Sequence, residues 1–413
     1  MPPSVGVERD TRASEPARLH RINVIGGCGH VGLPLALALA DKGHQVCVHD
    51  IDERAIAQIR AGKMPFLEAN AEPLLARVLA ERRFELTADP ASIADCEIAI
   101  LIIGTPVDEH LNPKFRVIKE TLDTLYPHFR DGQILILRST VFPGISEKVQ
   151  SYFNDRGKRI SVCFCPERIA EGAALHEYAT LPQIVSGFAP DATATAAALF
   201  ADLTAEVLTL APLEAELTKL FTNAYRYIKF SIANQFFQIA NDYGLDFYKI
   251  HHAMTYNYPR AKDFPTPGFA AGPCLFKDTM QLAAFNNNNF FLGHAAMLIN
   301  EGLPTYIVSK LKLLYPLDHR RVGILGMAFK ANSDDKRESL SYKLKKILEI
   351  EAEQVLCSDV YLRDDGFVSA EQLIDDCDII VLGVPHREYR GMDFKGKRVV
   401  DVWNFYNRGG LIQ

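Results

Sequence analysis

Short apolar runs alternate with longer helix-forming segments along most of the chain. Ile22 to Ile25 is a β-branched run. The glycine-rich turn Gly26-Gly27-Cys28-Gly29-His30-Val31-Gly32 follows it, and then Leu33 to Ala40, rich in alanine and leucine. Gln45 to His49 reads as a second strand. Glu97 to Ile103, Gln133 to Leu137 and Ile160 to Cys165 are continuous apolar runs, as expected of parallel strands buried on both faces. Ile184 to Gly187 and Val207 to Leu210 close this first series, and the alternation predicts a doubly wound α/β sheet. From Pro212 the texture changes. Leu213 to Asp242 has few breakers and an apolar face at Leu217, Phe221, Ala224 and Ile228, which predicts one long helix. Helix and loop follow to Leu303, with loop at Asn286 to Asn289. A second strand series begins near Arg320, at Arg321–Leu325, Glu353–Cys357, Ile379–Leu382 and Arg398–Val402. The expected fold is α/β, two doubly wound domains joined by a long central helix and a helical region. The boundaries expected are 1–20 for a tail, 21–211, 212–315 and 316–413.

Composition narrows the function more than the fold. The chain has 413 residues, 48% of them apolar, and a formal charge of −6. That size suits two or three domains with large cores. The charge offers no basic footprint, so no nucleic-acid partner is expected. No apolar run is long enough to cross a bilayer, and Met1 to Arg18 lack the apolar core of a signal peptide and read as a tail. Eight cysteines occur without a C-x-x-C, so no metal site is expected. Cys163 and Cys165 are expected to point to opposite faces of their strand. The compartment expected is reducing and cytoplasmic.

Five features carry candidate chemistry. Gly27, Gly29 and Gly32 form G-x-G-x-x-G between a strand and a helix. In that context Gly27 would make the tight turn, Gly29 would admit a pyrophosphate and Gly32 would let helix and strand pack. Asp50 ends the second strand and Asp52 lies just beyond; an acid about 20 residues on suits the ribose hydroxyls of NAD and repels the extra phosphate of NADP. Thr105, Thr140 and Glu167 each follow a predicted strand, and in open α/β sheets ligands bind beyond the strands' carboxyl ends. Gly268 to Asp278 reads G-F-A-A-G-P-C-L-F-K-D. A helix beginning there would put Cys274 at its N-terminus, where the dipole and Lys277 favour thiolate. On the long helix Lys219 and Asn223 share a face, and Glu216 is placed to pair with Lys219. Lys330 and Arg337, after the first strand of the second series, could hold phosphates or carboxylates.

With these residues in place the chain resembles the nucleotide-sugar dehydrogenases, the family of UDP-glucose, GDP-mannose and UDP-N-acetylhexosamine 6-dehydrogenases. The motifs occur in family order: the glycine turn, G-T-P, S-T-V-x-P-G, P-E-R, E-x-x-K-x-x-x-N, G-x-C-x-x-K-D, and G-x-A-F-K with D-x-R-E-S. The resemblance implies two Rossmann-like domains and a homodimer built on the long helix; no membrane partner is expected, because no apolar run is long enough to cross a bilayer. It implies that a C6 alcohol is oxidised to a carboxylate with two NAD+ and one cysteine, Cys274, which holds a thiohemiacetal and then a thioester. Lys219 and Asn223 would stabilise the C6 oxyanion, Asp278 and Thr140 would hold a water, and Glu167 would be the base for thioester hydrolysis. Gly27, Cys28, Gly29, His30, Val31 and Gly32, with Asp50, Thr105, Thr140, Lys277 and Arg337, would meet NAD. Glu167, Arg168, Lys219, Asn223, Phe269, Gly272, Cys274, Phe329 and Lys330 would meet the UDP-sugar, together with Arg260 reaching across the dimer.

The chain departs from the pattern in three places. Its cysteine loop reads A-G-P-C, and Pro273 removes a backbone donor beside the nucleophile. Trp403, in D-V-W-N, replaces an arginine of many members. Gly26 is an extra glycine ahead of the turn. The leading expectation is a UDP-glucose-like substrate converted to a uronic acid for surface polysaccharide. The alternatives are a UDP-N-acetylhexosamine or GDP-mannose substrate, a two-electron hydroxyacid dehydrogenase, and a non-catalytic nucleotide-sugar binder.

Overall fold

The computed structural model of the protein describes residues 18–104 and 115–412. Thr105 and most of the expected tail lie outside the described residues. The chain divides into two compact units between Leu220 and Phe221, within the helix Pro212–Asp242.

The first unit is built on one sheet. Its strands are β1 (Arg21–Ile25), β2 (Gln45–His49), β3 (Phe84–Thr87), β4 (Ile98–Leu101), β5 (Ile134–Leu137), β6 (Ser161–Phe164), β7 (Gln183–Gly187) and β8 (Val207–Thr209), in the order β3-β2-β1-β4-β5-β6-β7-β8. β3 through β6 pair in parallel. β7 runs antiparallel to β6, and β8 is parallel to β7, an edge arrangement common in doubly wound sheets. All of β4 is buried, because helices cover both faces. Cys163 and Cys165 sit in the same apolar cluster, not on opposite faces. Strand alternation has a period of two, so residues i and i+2 face the same way. β1 pairs with β2 on one side and β4 on the other. This is the topological switch point, where such folds bind nucleotides.

The second unit contains β9 (Arg321–Leu325), β10 (Gln354–Ser358), β11 (Ile379–Leu382) and β12 (Arg398–Val400), all parallel in the order β10-β9-β11-β12. Its switch point lies between β9 and β11. There Gly326 turns with φ +91°, and a Cβ on it would fall 2.6 Å from the Val384 carbonyl oxygen.

The long helix forms as expected, but its apolar positions divide: Ala224 is buried, Leu217 and Ile228 are half-buried, and Phe221 is exposed. Phe221 is 55% exposed, and with Tyr225, Ile232, Phe236 and Ile239 it makes an exposed apolar stripe. The buried side carries Lys219, Asn223, Ser231 and Asn234 among Ala224, Tyr227 and Phe237. Periodicity found the helix, but a helix apolar on several sides leaves the choice of buried face to its neighbours. Glu216 is likewise not the partner of Lys219. Its carboxylate accepts from Gly144 N (2.6 Å), Ser146 N (2.9 Å) and Ser146 Oγ (2.7 Å), capping the helix Ile145–Asn154 from a distance in sequence.

In the second unit a buried acid fixes the turn after β9. Asp359 Oδ2 accepts from Met327 N (2.6 Å) and Ala328 N (3.0 Å), and Oδ1 from Tyr361 N (2.7 Å) and Leu362 N (3.0 Å). His386 Nδ1 accepts from Asn332 N (2.9 Å). That leaves the proton on Nε2, 3.2 Å from Asp359 Oδ2. Burial alone would push the Asp359 carboxyl up. The hydrogen bond from His386, its charge when protonated, and the Met327 and Leu362 amides outweigh burial and hold it at about 2. The folded value lies below the unfolded one, near 4, so the stabilisation is present above about pH 4 and lost as pH falls toward 2. It is worth about 2 kcal/mol. Asp359→Asn is expected to lower stability at neutral pH but to flatten its fall between about pH 5 and pH 2.5, measured by urea unfolding at each pH. Equal losses in variant and parent would remove Asp359 from this role.

Candidate active site

The glycine turn after β1 divides its work differently from the spacing rule. Gly26 carries the left-handed conformation, φ +71°, and a Cβ there would lie 2.0 Å from the Ile102 carbonyl oxygen. The extra glycine is therefore the one that turns the chain beside β4. Gly27 is needed for space: a Cβ would meet Val24 O and Val48 Cγ1, each at 2.8 Å. Gly29 has nothing within 4 Å of a would-be Cβ and leaves the backbone open. Gly32 begins the helix Gly32–Asp41, with a would-be Cβ 2.6 Å from Gly27 Cα. Asp50 ties the turn down: Oδ2 accepts from Cys28 N (2.8 Å) and Oδ1 from Asp52 N (3.0 Å). Asp52 is a helix cap, accepting from Arg54 N and Ala55 N, so Asp50 alone stands as the ribose candidate. His30 stacks on Phe66 with ring centroids 4.1 Å apart. The Cys28 thiol is pushed up to about 12, by burial first and by Asp50 next, and is inert as a nucleophile. An open glycine backbone, a helix N-terminus and a carboxylate at the end of β2 fit a dinucleotide.

Beyond β5 and β6 a buried ion pair dominates. Arg138 is 0% exposed. Its Nε (3.0 Å) and Nη2 (2.6 Å) donate to Glu167 Oε2, Nη2 also to Gln183 Oε1 (2.7 Å), and Nη1 to the Cys165 (2.9 Å) and Pro166 (3.3 Å) carbonyls. Every guanidinium N–H is thus used, and Phe200 lies 4.7 Å from Cζ. Tyr178 Oη donates to Glu167 Oε2 (2.6 Å), and its hydroxyl is pushed well up by burial and then by Glu167. Glu167 Oε1 accepts from Arg168 N (2.6 Å) and Ile169 N (2.9 Å). The Arg168 side chain reaches the Pro182 carbonyl. Thr140 follows half-buried, next to Ser139. Ser139 Oγ accepts from Ile103 N (2.8 Å) and donates to Ile103 O (2.7 Å), joining the ends of β4 and β5.

In the second unit the cysteine loop leads into the helix Leu275–Phe285, and Cys274 is its N-cap residue. Of the eight cysteines, Cys274 is exposed, Cys47 is half-buried and the rest are buried. One turn on, fully buried Asp278 accepts at Oδ2 from Asn223 Nδ2 (2.6 Å). Its Oδ1 accepts no hydrogen bond among the described residues and lies 3.7 Å from Lys277 Nζ. Lys219, 9% exposed, stands one helical turn before Asn223 on the same helix. Phe269 is buried. Gly272 N donates to Glu338 O (3.3 Å), and a Cβ on Gly272 would fall 2.6 Å from the Phe329 ring. The ammonium of Lys330 lies 5.5 Å over that ring. Arg337 is clasped by Asp335, with Nη2 to Oδ2 at 2.6 Å. Arg260 is exposed and folds onto Tyr258, Nε to Oη at 2.8 Å. Within this unit the expected residues Asn223, Lys277 and Asp278 therefore cluster one turn past Cys274, and Gly272 meets Phe329.

Domain models of one family match three successive stretches: its NAD binding domain at residues 20–204, its central domain at 213–301 and its UDP binding domain at 323–408. The chain belongs to the UDP-glucose/GDP-mannose dehydrogenase family. It is an NAD-dependent nucleotide-sugar dehydrogenase, and its cofactor is NAD. It is 27% identical over 405 residues to a UDP-N-acetyl-D-mannosamine dehydrogenase of Methanocaldococcus jannaschii, covering 94% of this chain and 93% of that one. It superposes on the UDP-D-ManNAc dehydrogenase of Pyrococcus horikoshii with a TM-score of 0.85 at 26% identity, over 91% of each chain. A UDP-glucose dehydrogenase of Pyrobaculum islandicum gives 0.85 at 25% identity, over 94% of this chain and 95% of that one.

Three residues of this dehydrogenase escape sequence reading. Arg138 reads as a strand-end residue, although a charged residue closing an apolar run, opposite Glu167 at the end of the next strand, was the available signal. Asn234 lies in a mixed stretch of the long helix, between Ala233 and Gln235, with nothing to single it out. Tyr178 lies in a short helix, Ala174–Thr180, and only the fold brings it to Glu167.

Proposed function

We propose that this dehydrogenase oxidises the C6 alcohol of a UDP-sugar to a carboxylate in two stages on one thiol. The observation that carries the reading is exposed Cys274 at a helix N-terminus, one turn from the buried Asp278–Asn223 pair. When bound, NAD+ would be held by the Gly26–Gly32 turn with Asp50 toward the ribose, and it would supply the hydride acceptor for both oxidations. In the first stage the alcohol loses a hydride and a proton and becomes an aldehyde. The Cys274 thiolate adds to the aldehyde carbon, and its oxygen takes a proton to give a thiohemiacetal. Loss of a second hydride and proton leaves a thioester. Water adds, the C–S bond breaks, and the products are the carboxylate and free Cys274. A covalent holder keeps the reactive aldehyde from escaping between stages.

Lys219 and Asn223 serve as donors to the C6 oxyanion. Asp278 Oδ1, buried and without a hydrogen-bond donor among the described residues, is suited to accept from the hydrolytic water. Glu167 already receives donors on both oxygens, so we assign it to anchoring the Pro166–Arg168 turn rather than to general-base work. Lys330 and the Phe329 ring face the nucleotide end of the substrate.

The M. jannaschii and P. horikoshii relatives favour UDP-N-acetylmannosamine. The P. islandicum structure supports UDP-glucose as the second reading. A panel of UDP-N-acetylmannosamine, UDP-N-acetylglucosamine, UDP-glucose and GDP-mannose with NAD+ is expected to give one strongly preferred sugar, because a pocket built to hydrogen-bond one C2 substituent rejects another. Two NADH should form per acid. One NADH per product would point to a two-electron dehydrogenase and overturn the covalent scheme.

A further inference from the structure

Trp403 is the single tryptophan of the chain, and it bears on the start of the cysteine loop. Gly268 opens that loop with φ +152°. On one side Asn234 brackets it: Asn234 Nδ2 donates to Gly268 O (3.1 Å), and Gly268 N donates to Asn234 Oδ1 (2.9 Å). On the other side lies the indole. A Cβ on Gly268 would fall 2.1 Å from Trp403 Cζ3 and 2.3 Å from Cε3. Phe269 meets the same indole edge-on, with ring centroids 6.1 Å apart. The indole is itself fixed. Nε1 donates to Leu382 O (3.2 Å) at the end of β11, and Trp403 N donates to Asp401 Oδ1 (3.0 Å) beyond β12.

The loop is thus gripped twice before Cys274. The first grip is Gly268 between Asn234 and Trp403. The second is Gly272, held by Glu338 O and the Phe329 ring. Trp403 and Phe329 stand on the stretches that follow β12 and β9 of the second sheet, and Asn234 stands on the long helix. A nucleophile must be held to a fraction of an ångström, and its supporting residues set that tolerance.

We propose that Trp403 is a positioning residue for Cys274, acting through Gly268 and Phe269 to set where the cysteine loop begins. The proposal rests on the reading of Cys274 as the nucleophile. An indole against a glycine leaves no side chain between the ring and the loop backbone, so movement of the loop changes the surroundings of the only tryptophan.

The test uses the full-length enzyme and three variants, Trp403→Ala, Trp403→Phe and Cys274→Ala. kcat is measured with NAD+ and whichever panel sugar is turned over, and alkylation of Cys274 by iodoacetamide is followed by mass spectrometry of its peptide. Trp403→Ala is expected to lower kcat roughly 10- to 100-fold, with KM for NAD+ within about twofold because the glycine turn is untouched. Its Cys274 alkylation rate should shift more than about threefold, and Trp403→Phe, which keeps a ring on Gly268, should restore both most of the way. In the unmutated enzyme, carboxamidomethylation at Cys274 should change tryptophan emission, and the change should be absent in Cys274→Ala. This second measurement needs no Trp403 variant to fold. Wild-type kcat and alkylation in Trp403→Ala, or emission blind to Cys274 modification, overturns the proposal. If Cys274→Ala keeps full activity, it is the nucleophile reading that fails. An inactive Cys274→Ala beside a fully active Trp403→Ala sinks the Trp403 role alone.

Discussion

Cys274→Ala is expected to end acid formation, with turnover falling on the order of 10⁴-fold. Cys274→Ser should stall before the acid, releasing at most one NADH per site. The argument starts from exposure. Cys274 is accessible at the N-cap of an eleven-residue helix, whereas six of the other cysteines are buried. The thiols of Cys28, Cys96, Cys165 and Cys357 are each pushed up to about 12, burial being the largest cause, so none of these four can attack an aldehyde at neutral pH. Absorbance of NADH against acid formed, in single and multiple turnover, reads the result. A serine hydroxyl is a far poorer nucleophile than a thiolate at this pH, so the serine variant should separate the first hydride transfer from the second. Full activity in the alanine variant would remove the covalent scheme.

Arg138→Ala is expected to have the largest effect on stability, about 3–5 kcal/mol. The guanidinium is wholly buried and its donors are all used, two of them on Glu167. Truncation leaves the Glu167 carboxylate buried without its counter-charge, which costs far more than the pair itself contributes. It also opens a void under Phe200. Arg138→Met fills more of that void but still strands the carboxylate, so it should recover only part of the loss. Adding Glu167→Gln to Arg138→Met should recover more, giving a coupling energy between the two sites of about 1–3 kcal/mol. Urea unfolding of the parent, Arg138→Met, Glu167→Gln and the double variant measures it. An unfolding free energy for Arg138→Ala within about 0.5 kcal/mol of the parent would show that the pair does not hold the Pro166–Arg168 turn.

The elements were largely legible because they rest on local patterns. The apolar runs became strands within a residue or two, and the long helix runs from Pro212 to Asp242 as its lack of breakers implied. The glycine turn was legible as a unit, yet its φ-positive residue proved to be Gly26. Spacing counts glycines but does not see the Ile102 carbonyl that forbids a side chain there. Glu216 was misassigned for the same kind of reason. Helical spacing offered Lys219 one turn away, but three donors at the start of another helix offered a better set.

The chain's sequence by itself determined the strands and helices in order except β3, the dinucleotide turn with Asp50, and the motif series that marks the family. These depend on residues near one another in the chain, where periodicity, glycine sterics and helix ends act. Only the tertiary structure decided which face of the long helix is buried, that Arg138 and Tyr178 saturate Glu167, and that Trp403 and Asn234 close on Gly268. Those contacts join residues from 11 to more than a hundred positions apart, and they are settled by which elements lie side by side, something no local pattern encodes.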